Sequence, residues 1–361
     1  MFKKQFSVVF FFLFLFSAVV SQATDLQSIQ LYSHIENEGQ ILDTIECVRP
    51  SGNLPDDLRG SDFRLYAEIK WTDQSFSVYP DDLERTRNGF RLHFGSMPET
   101  WNNVAWWQVN CRDASFSFSK ENLSSVHADV ADAFVRHSVY DDNWRPTGDA
   151  FDYSLFSPVR QSVPVPLVLV LHGSGDFDIV HSGRQALCWA EPDFQTDHPC
   201  YVMVPYFEEA TLLSNDEVLI AAKQEIQRMI RDGLVDASRV YVTGLSLGGW
   251  NAFRLLTRYS ETPFFAAGIL MCPWLDRSLT DEELSRAVNI PLYVLYGEGD
   301  TVVPDPGEIA DRLSALGSTL CHKKVYRTEE YAAAGIESQH AVDLLALQSN
   351  EWREWMMSHH L

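Results

Sequence analysis

Arg239-Val240-Tyr241-Val242-Thr243-Gly244-Leu245-Ser246-Leu247-Gly248-Gly249-Trp250 is the stretch that decides the fold. Its first five residues read as an apolar strand, and residues 247–259 carry a helical period. Between them sits a serine on a glycine-flanked turn. Such a serine needs small neighbours, because its backbone is strained and the next helix passes close to the strand. Gly244 and Gly248 supply that room, and the helix N-terminus behind Ser246 favours negative charge. The competing reading is the glycine-rich turn of a nucleotide-binding fold. That turn requires G-x-G-x-x-G or Gly-Lys-Ser/Thr, and neither is present. Ser246 therefore reads as a nucleophile whose hydroxyl stands beside backbone N–H groups.

The alternation of strand and helix extends in both directions. Leu167–Leu171 is a continuous apolar run, as expected for a strand covered on both faces, and 201–205 is a second. A helical period follows over 215–232, with Val218, Ile220, Ile226, Met229 and Ile230 as its apolar set. Strands at 266–271, 291–296 and 323–327, a helix at 306–316 and a closing helix at 342–357 continue the series. Residues 150–361 thus predict an α/β domain, a mostly parallel sheet with helices on both faces. Residues 24–140 differ. Short alternating runs such as Phe63–Ile69, Phe90–Phe94 and Ala105–Cys111, separated by turn-rich segments, predict a small antiparallel β sandwich as an accessory domain. The change of period and Asn143-Trp144-Arg145-Pro146-Thr147-Gly148 mark the boundary. At the start, Lys3 and Lys4 precede a short apolar run that exits through Val20-Ser21-Gln22-Ala23. This predicts a signal peptide over residues 1–23 and a secreted or periplasmic protein. No later stretch is apolar enough to cross a membrane, so no stable insertion is expected after cleavage.

In a parallel sheet the loops that leave the strands' carboxyl ends share one edge. His172-Gly173-Ser174-Gly175 leaves the strand 167–171 there, and a small-residue loop can offer the N–H of Ser174 to an oxyanion beside the N–H of Leu247. On this reading Ser174 and Leu247 act through backbone. The triad order in such a sheet is serine, acid, histidine. Asp300 lies in Gly297-Glu298-Gly299-Asp300-Thr301-Val302-Val303-Pro304, just past a strand, and competes with Glu298 and Asp276 for the acid. Four histidines follow it. His322 opens a strand at the opposite edge, while His359 and His360 are in a tail expected to fray. His340, between the last strand and the last helix, is the one that topology admits.

These motifs, HGSG at 172–175, GLSLGG at 244–249, YGEGDTVVP at 296–304 and SQH at 338–340, resemble the α/β-hydrolase superfamily. Phe151–Phe156, Trp189-Ala190-Glu191-Pro192, Gln195 and His198-Pro199 are similar to a subgroup of secreted esterases. That subgroup is akin to polyhydroxybutyrate depolymerases and feruloyl or acetylxylan esterases, and includes predicted peptidases. The resemblance covers about residues 150–361. It implies a Ser246, Asp300 and His340 triad, a carboxylesterase acting through an acyl-enzyme, and no cofactor. Some relatives carry an immunoglobulin-like domain where this chain has its β region. Asp176 departs from the pattern, since relatives often carry Glu there.

The chain of 361 residues has 50 Asp plus Glu against 28 Lys plus Arg, a formal net charge of −22. Such a surface repels phosphate backbones, so a nucleic-acid partner is not expected. The expected partner is an ester, polymeric ones included, linked to polysaccharide or polyester. Six cysteines show no zinc spacing, so no metal is expected. In an oxidising compartment, bridges Cys47–Cys111 and Cys188–Cys200 are expected, with Cys272 and Cys321 free because they sit at opposite edges of the sheet. Three alternatives stay open: a serine peptidase on the same triad, a non-catalytic binding protein on this fold, and a polysaccharide-binding face among Trp71, Trp101, Trp106 and Trp107. Adjacent Trp106 and Trp107 point to opposite faces of a strand, so one of them belongs to the core.

Overall fold

A computed structural model describes residues 28–36, 39–48, 54–139, 151–159, 163–174, 179–206, 216–259, 263–276 and 278–361, and the structural statements below concern these. The expected leader, the expected linker at 143–148 and Asp176 lie outside them.

Period-two burial builds the amino-terminal part. Its strands are β1 (Ser28–Glu36), β2 (Gly39–Val48), β3 (Phe63–Ile69), β4 (Ser75–Val78), β5 (Asp82–Thr86), β6 (Gly89–His93), β7 (Val104–Cys111), β8 (Phe118–Ser119) and β9 (Leu123–Ala128). They form two sheets, of order β5-β6-β2-β1-β9 and β4-β3-β7-β8. In β3, Phe63, Leu65 and Ala67 are buried while Arg64 and Glu68 are exposed. Phe63 meets Phe90 of β6 at 5.3 Å between ring centroids, and Phe90 meets Phe116 at 6.3 Å, so aromatic packing joins the sheets. Trp107 is the buried member of the adjacent pair, while Trp106 turns outward and donates to Glu121 at 2.9 Å. Trp101 is buried as well, and Trp71 is fully exposed.

The chain divides into two compact units. Residues 28–31, Asp43–Pro98 and Asn103–Val126 belong to the first, and Tyr32–Leu42, Glu99–Asn102 and His127–Leu361 to the second. The accessory region expected to run to 140 therefore ends earlier. β10 (Phe134–Val139) pairs antiparallel with β11 (Phe151–Phe156) over six residues and forms the edge of the larger sheet. Its mixed, half-exposed burial gives no change of period at residue 127, so the sequence hid the boundary.

The larger sheet continues with β12 (Val165–Leu171), β13 (Tyr201–Pro205), β14 (Val235–Leu245), β15 (Ala267–Met271), β16 (Leu292–Gly297) and β17 (Cys321–Tyr326). Its order is β10-β11-β13-β12-β14-β15-β16-β17, parallel from β13 to β17 and antiparallel at β10 and β11. β12 is buried at all seven positions. Leu167, Leu169 and Leu171 face one core with Ile226, Met229 and Phe253, and Val168 and Val170 face the other with Trp189 and Met356. The helix Glu217–Arg231 buries Val218, Leu219, Ala222, Ile226 and Met229, a face rotated slightly from the expected one. Buried Glu225 is satisfied by Tyr153 Oη at 2.6 Å and by Arg228 Nε at 2.9 Å. The final residues do not fray. Leu361 N donates to Ser238 O at 2.9 Å, and Tyr241 Oη donates to His359 O at 2.7 Å.

All six cysteines are free thiols, which overturns both expected bridges. Cys47 has Phe90 as its cross-strand neighbour and Cys111 has Phe63, so the Phe63–Phe90 contact ties the sheets where a bridge was expected. Between Cys188 and Cys200 the loop is closed by Gln195 instead. Its Nε2 donates to Trp189 O at 2.7 Å and Cys200 O at 3.0 Å, and its Oε1 accepts from Cys200 N at 3.1 Å. Burial pushes both thiols up to about 12. Cys321 opens β17 level with Leu292, while Cys272 follows β15, at opposite edges as expected.

Candidate active site

Because β12 lies between β13 and β14, the chain leaves β12 toward one side and returns on the other. Ligands of open α/β sheets bind at carboxyl ends where the order reverses in this way. Leu171 pairs with Gly244 and Leu245 with Met271, so the loops after β12, β14 and β15 emerge side by side.

Ser246 sits at φ 56°, ψ −118°, left-handed backbone that a serine adopts only when its surroundings enforce it. Its N–H donates to Met271 O at 2.8 Å, and its carbonyl accepts from Trp250 N at 3.0 Å and Trp274 N at 3.1 Å. The glycines explain themselves by distance. A Cβ on Gly248 would lie 2.1 Å from Leu171 O, and one on Gly244 would lie 2.5 Å from Gly248 C. Leu247 is the first residue of the helix Leu247–Thr257, so its N–H has no intrahelical acceptor. A Cβ on Gly173 would lie 3.7 Å from Ser246 Cβ, which brings the loop carrying exposed Ser174 against the elbow. His172 is fully buried and bonds Gly173 O through Nδ1, a structural histidine.

On the far side of Met271, Asp300 and His340 meet. His340 Nδ1 lies 2.8 Å from Asp300 Oδ2, with the carboxylate almost wholly buried and the imidazole partly open. Asp300 Oδ1 accepts from Val302 N at 2.8 Å and Val303 N at 3.0 Å. Burial pushes this carboxyl up, but His340, the two N–H groups and the Cys272 thiol outweigh it and hold the group below the ordinary aspartate range. Among the described residues, Ser246 Oγ makes no hydrogen bond to the imidazole. Such contacts often tighten only once substrate is bound. The rival acids are committed elsewhere: Asp276 takes Ser278 N and Oγ, and Glu298 takes Thr328 N and Oγ1. His322 lies near the amino end of β17, and His359 bonds Trp355 O.

Two features escaped the sequence reading. Cys272 places its Sγ within 4.8 Å of the Asp300 and His340 ligand atoms. Burial and the Asp300 carboxylate push that thiol far above its ordinary range. The other is Gln339, whose side chain joins the two loops; only its place beside His340 in the SQH motif hinted at it. A cavity of about 640 Å³ opens beside the imidazole, lined among others by Leu245, Ile336, Glu337, Ser338, His340 and Leu344.

The chain matches no protein-family model, and no curated protein matches it either. It is similar to solved structures. A thermostable esterase superposes with a TM-score of 0.73 at 21% identity, over 93% of this chain and all of that one. A ferulic acid esterase (TM-score 0.43, 13% identity, 62% and 97% covered) and an esterase of Pyrobaculum calidifontis (0.45, 14%, 63% and 85%) match less well. Only the first is near enough to bear on architecture. The fold is that of the α/β-hydrolases.

Proposed function

We propose that this chain is a serine hydrolase of carboxylic esters, with Ser246 as nucleophile, His340 as base and Asp300 as the group that orients it. The observation that carries the reading is the Asp300–His340 contact of 2.8 Å at the sheet edge where a strained serine elbow also emerges. His340 takes the Ser246 proton as Oγ attacks the ester carbon, and ionised Asp300 stabilises the imidazolium. The tetrahedral oxyanion faces the N–H groups of Leu247 and Ser174, a preorganised pair of dipoles. Collapse expels the alcohol, which leaves with the proton held by His340. Water then repeats the cycle on the acyl-enzyme and frees the acid. The reading needs no cofactor.

The motifs at 151–156 and 189–199 support placing the chain near polyhydroxybutyrate depolymerase-like and feruloyl esterases, with polymeric esters as substrates. Residues 1–23 support export. The amino-terminal sheets support an accessory, immunoglobulin-like role. The test is a panel of p-nitrophenyl, feruloyl, acetylated-sugar and polyester substrates beside a peptide panel, with Ser246→Ala as the blank. Ester turnover lost by more than about 10³-fold in Ser246→Ala is the expected result. Turnover unchanged in that variant overturns the reading, and cleavage of peptides alone replaces it by a peptidase.

A further inference from the structure

Gln339 closes a ring of hydrogen bonds between the loop that carries the acid and the segment that carries the imidazole. Its Oε1 accepts from Gly299 N at 2.7 Å, and its Nε2 donates to Thr328 Oγ1 at 3.0 Å. Thr328 in turn donates through N and Oγ1 to Glu298 Oε1, at 2.8 and 2.9 Å. Glu298 precedes Gly299, so the ring returns to its start. The main chain of Gln339 is held too, since its carbonyl accepts from Tyr331 Oη at 3.0 Å. Room for this residue, main chain and side chain, explains two glycines. A Cβ on Gly299 would lie 2.8 Å from Gln339 Nε2, and one on Gly297 would lie 2.5 Å from Gln339 O. Asp300 and His340 are the next residues along from the two clamped ones, Gly299 and Gln339.

We propose that Gln339 is a positioning residue, a clamp that fixes the distance between Asp300 and His340 by tying Gly299 to the residue before the imidazole. The proposal rests on the serine-hydrolase reading above. A clamp of this kind touches no reacting atom. It acts on kcat by keeping the imidazole aimed, and an error near 1 Å in such a group lowers rate by about a hundredfold.

Gln339→Met keeps the side chain's length and removes both hydrogen bonds, and Thr328→Val opens the ring at the opposite corner with little change of size. On p-nitrophenyl acetate, Gln339→Met should lower kcat by about tenfold to a hundredfold with KM within about twofold. Thr328→Val should fall in the same direction by less. In an Asp300→Asn background, Gln339→Met should change kcat by less than about twofold, because the ionised carboxylate against which it aims the imidazole is already gone. A Gln339→Met enzyme with full kcat overturns the proposal. So does a loss that multiplies undiminished onto Asp300→Asn, the mark of a merely structural role. Should Gln339→Met fail to fold, an unchanged kcat in Thr328→Val overturns it alone. An active Ser246→Ala would instead sink the hydrolase reading, whereas an inactive Ser246→Ala beside a fully active Gln339→Met sinks only the clamp.

Discussion

Gly248→Ala tests the tight approach of the serine-bearing helix to the strand β12. The added Cβ would lie 2.1 Å from Leu171 O, 2.6 Å from His172 O and 2.7 Å from Leu171 C, where real Cβ contacts stay above 3.0 Å. All three are backbone atoms at the end of β12, a strand buried at every position, so none can rotate aside. The helix Leu247–Thr257 must withdraw by about 0.9 Å, overpacking of the kind that costs about 1–3 kcal/mol and occasionally more. With three clashes at once we take about 4 kcal/mol. Alanine's better helix propensity returns about 1, leaving a net loss near 3 kcal/mol. Gly233 supplies the contrast, since its Cβ would meet nothing within 4 Å and only its φ of +73° is at issue, about 1 kcal/mol. Urea unfolding of both variants measures the difference, and ester turnover should fall about a hundredfold in Gly248→Ala alone. If Gly248→Ala lost no more stability than Gly233→Ala and kept its turnover, the close packing of helix on strand would be refuted.

Asp300→Asn should fold normally yet lose about 10⁴-fold in kcat, checked by single-turnover kinetics beside circular dichroism. Glu225 is held below its ordinary 4.5 because the Arg228 and Tyr153 bonds outweigh burial. Its share of stability is therefore full above its ordinary value and lost as pH falls through the lower folded one, so Glu225→Gln should flatten the decline of the urea midpoint on the acid side of about pH 4.5. Thiol titration of the purified chain in denaturant without reductant should count six groups; a count of four or two would restore one or both bridges.

The elbow was legible because its glycines answer to a backbone contact that leaves a direct trace in sequence. His340 was legible by elimination, since only one late histidine could reach the edge of Ser246. Gln339 and Cys272 were not, because each acts across strands, and periodicity along one strand says nothing about its neighbour's register. The cysteines misled for a related reason. Spacing showed that Cys188 and Cys200 flank a loop, but not that Gln195 already closes it. The short helix Thr328–Ala333, which supplies Thr328 and Tyr331 to the site, was hidden in a segment read as loop.

The hold that Ser238 and Tyr241 keep on the last three residues has a mechanical consequence. Both belong to β14, whose far end presents Ser246. Load applied at Leu361 passes directly into the strand that leads to Ser246, without first unzipping the closing helix Glu351–Met357. A surface tether or bulky group attached at Leu361 would tug on β14 itself.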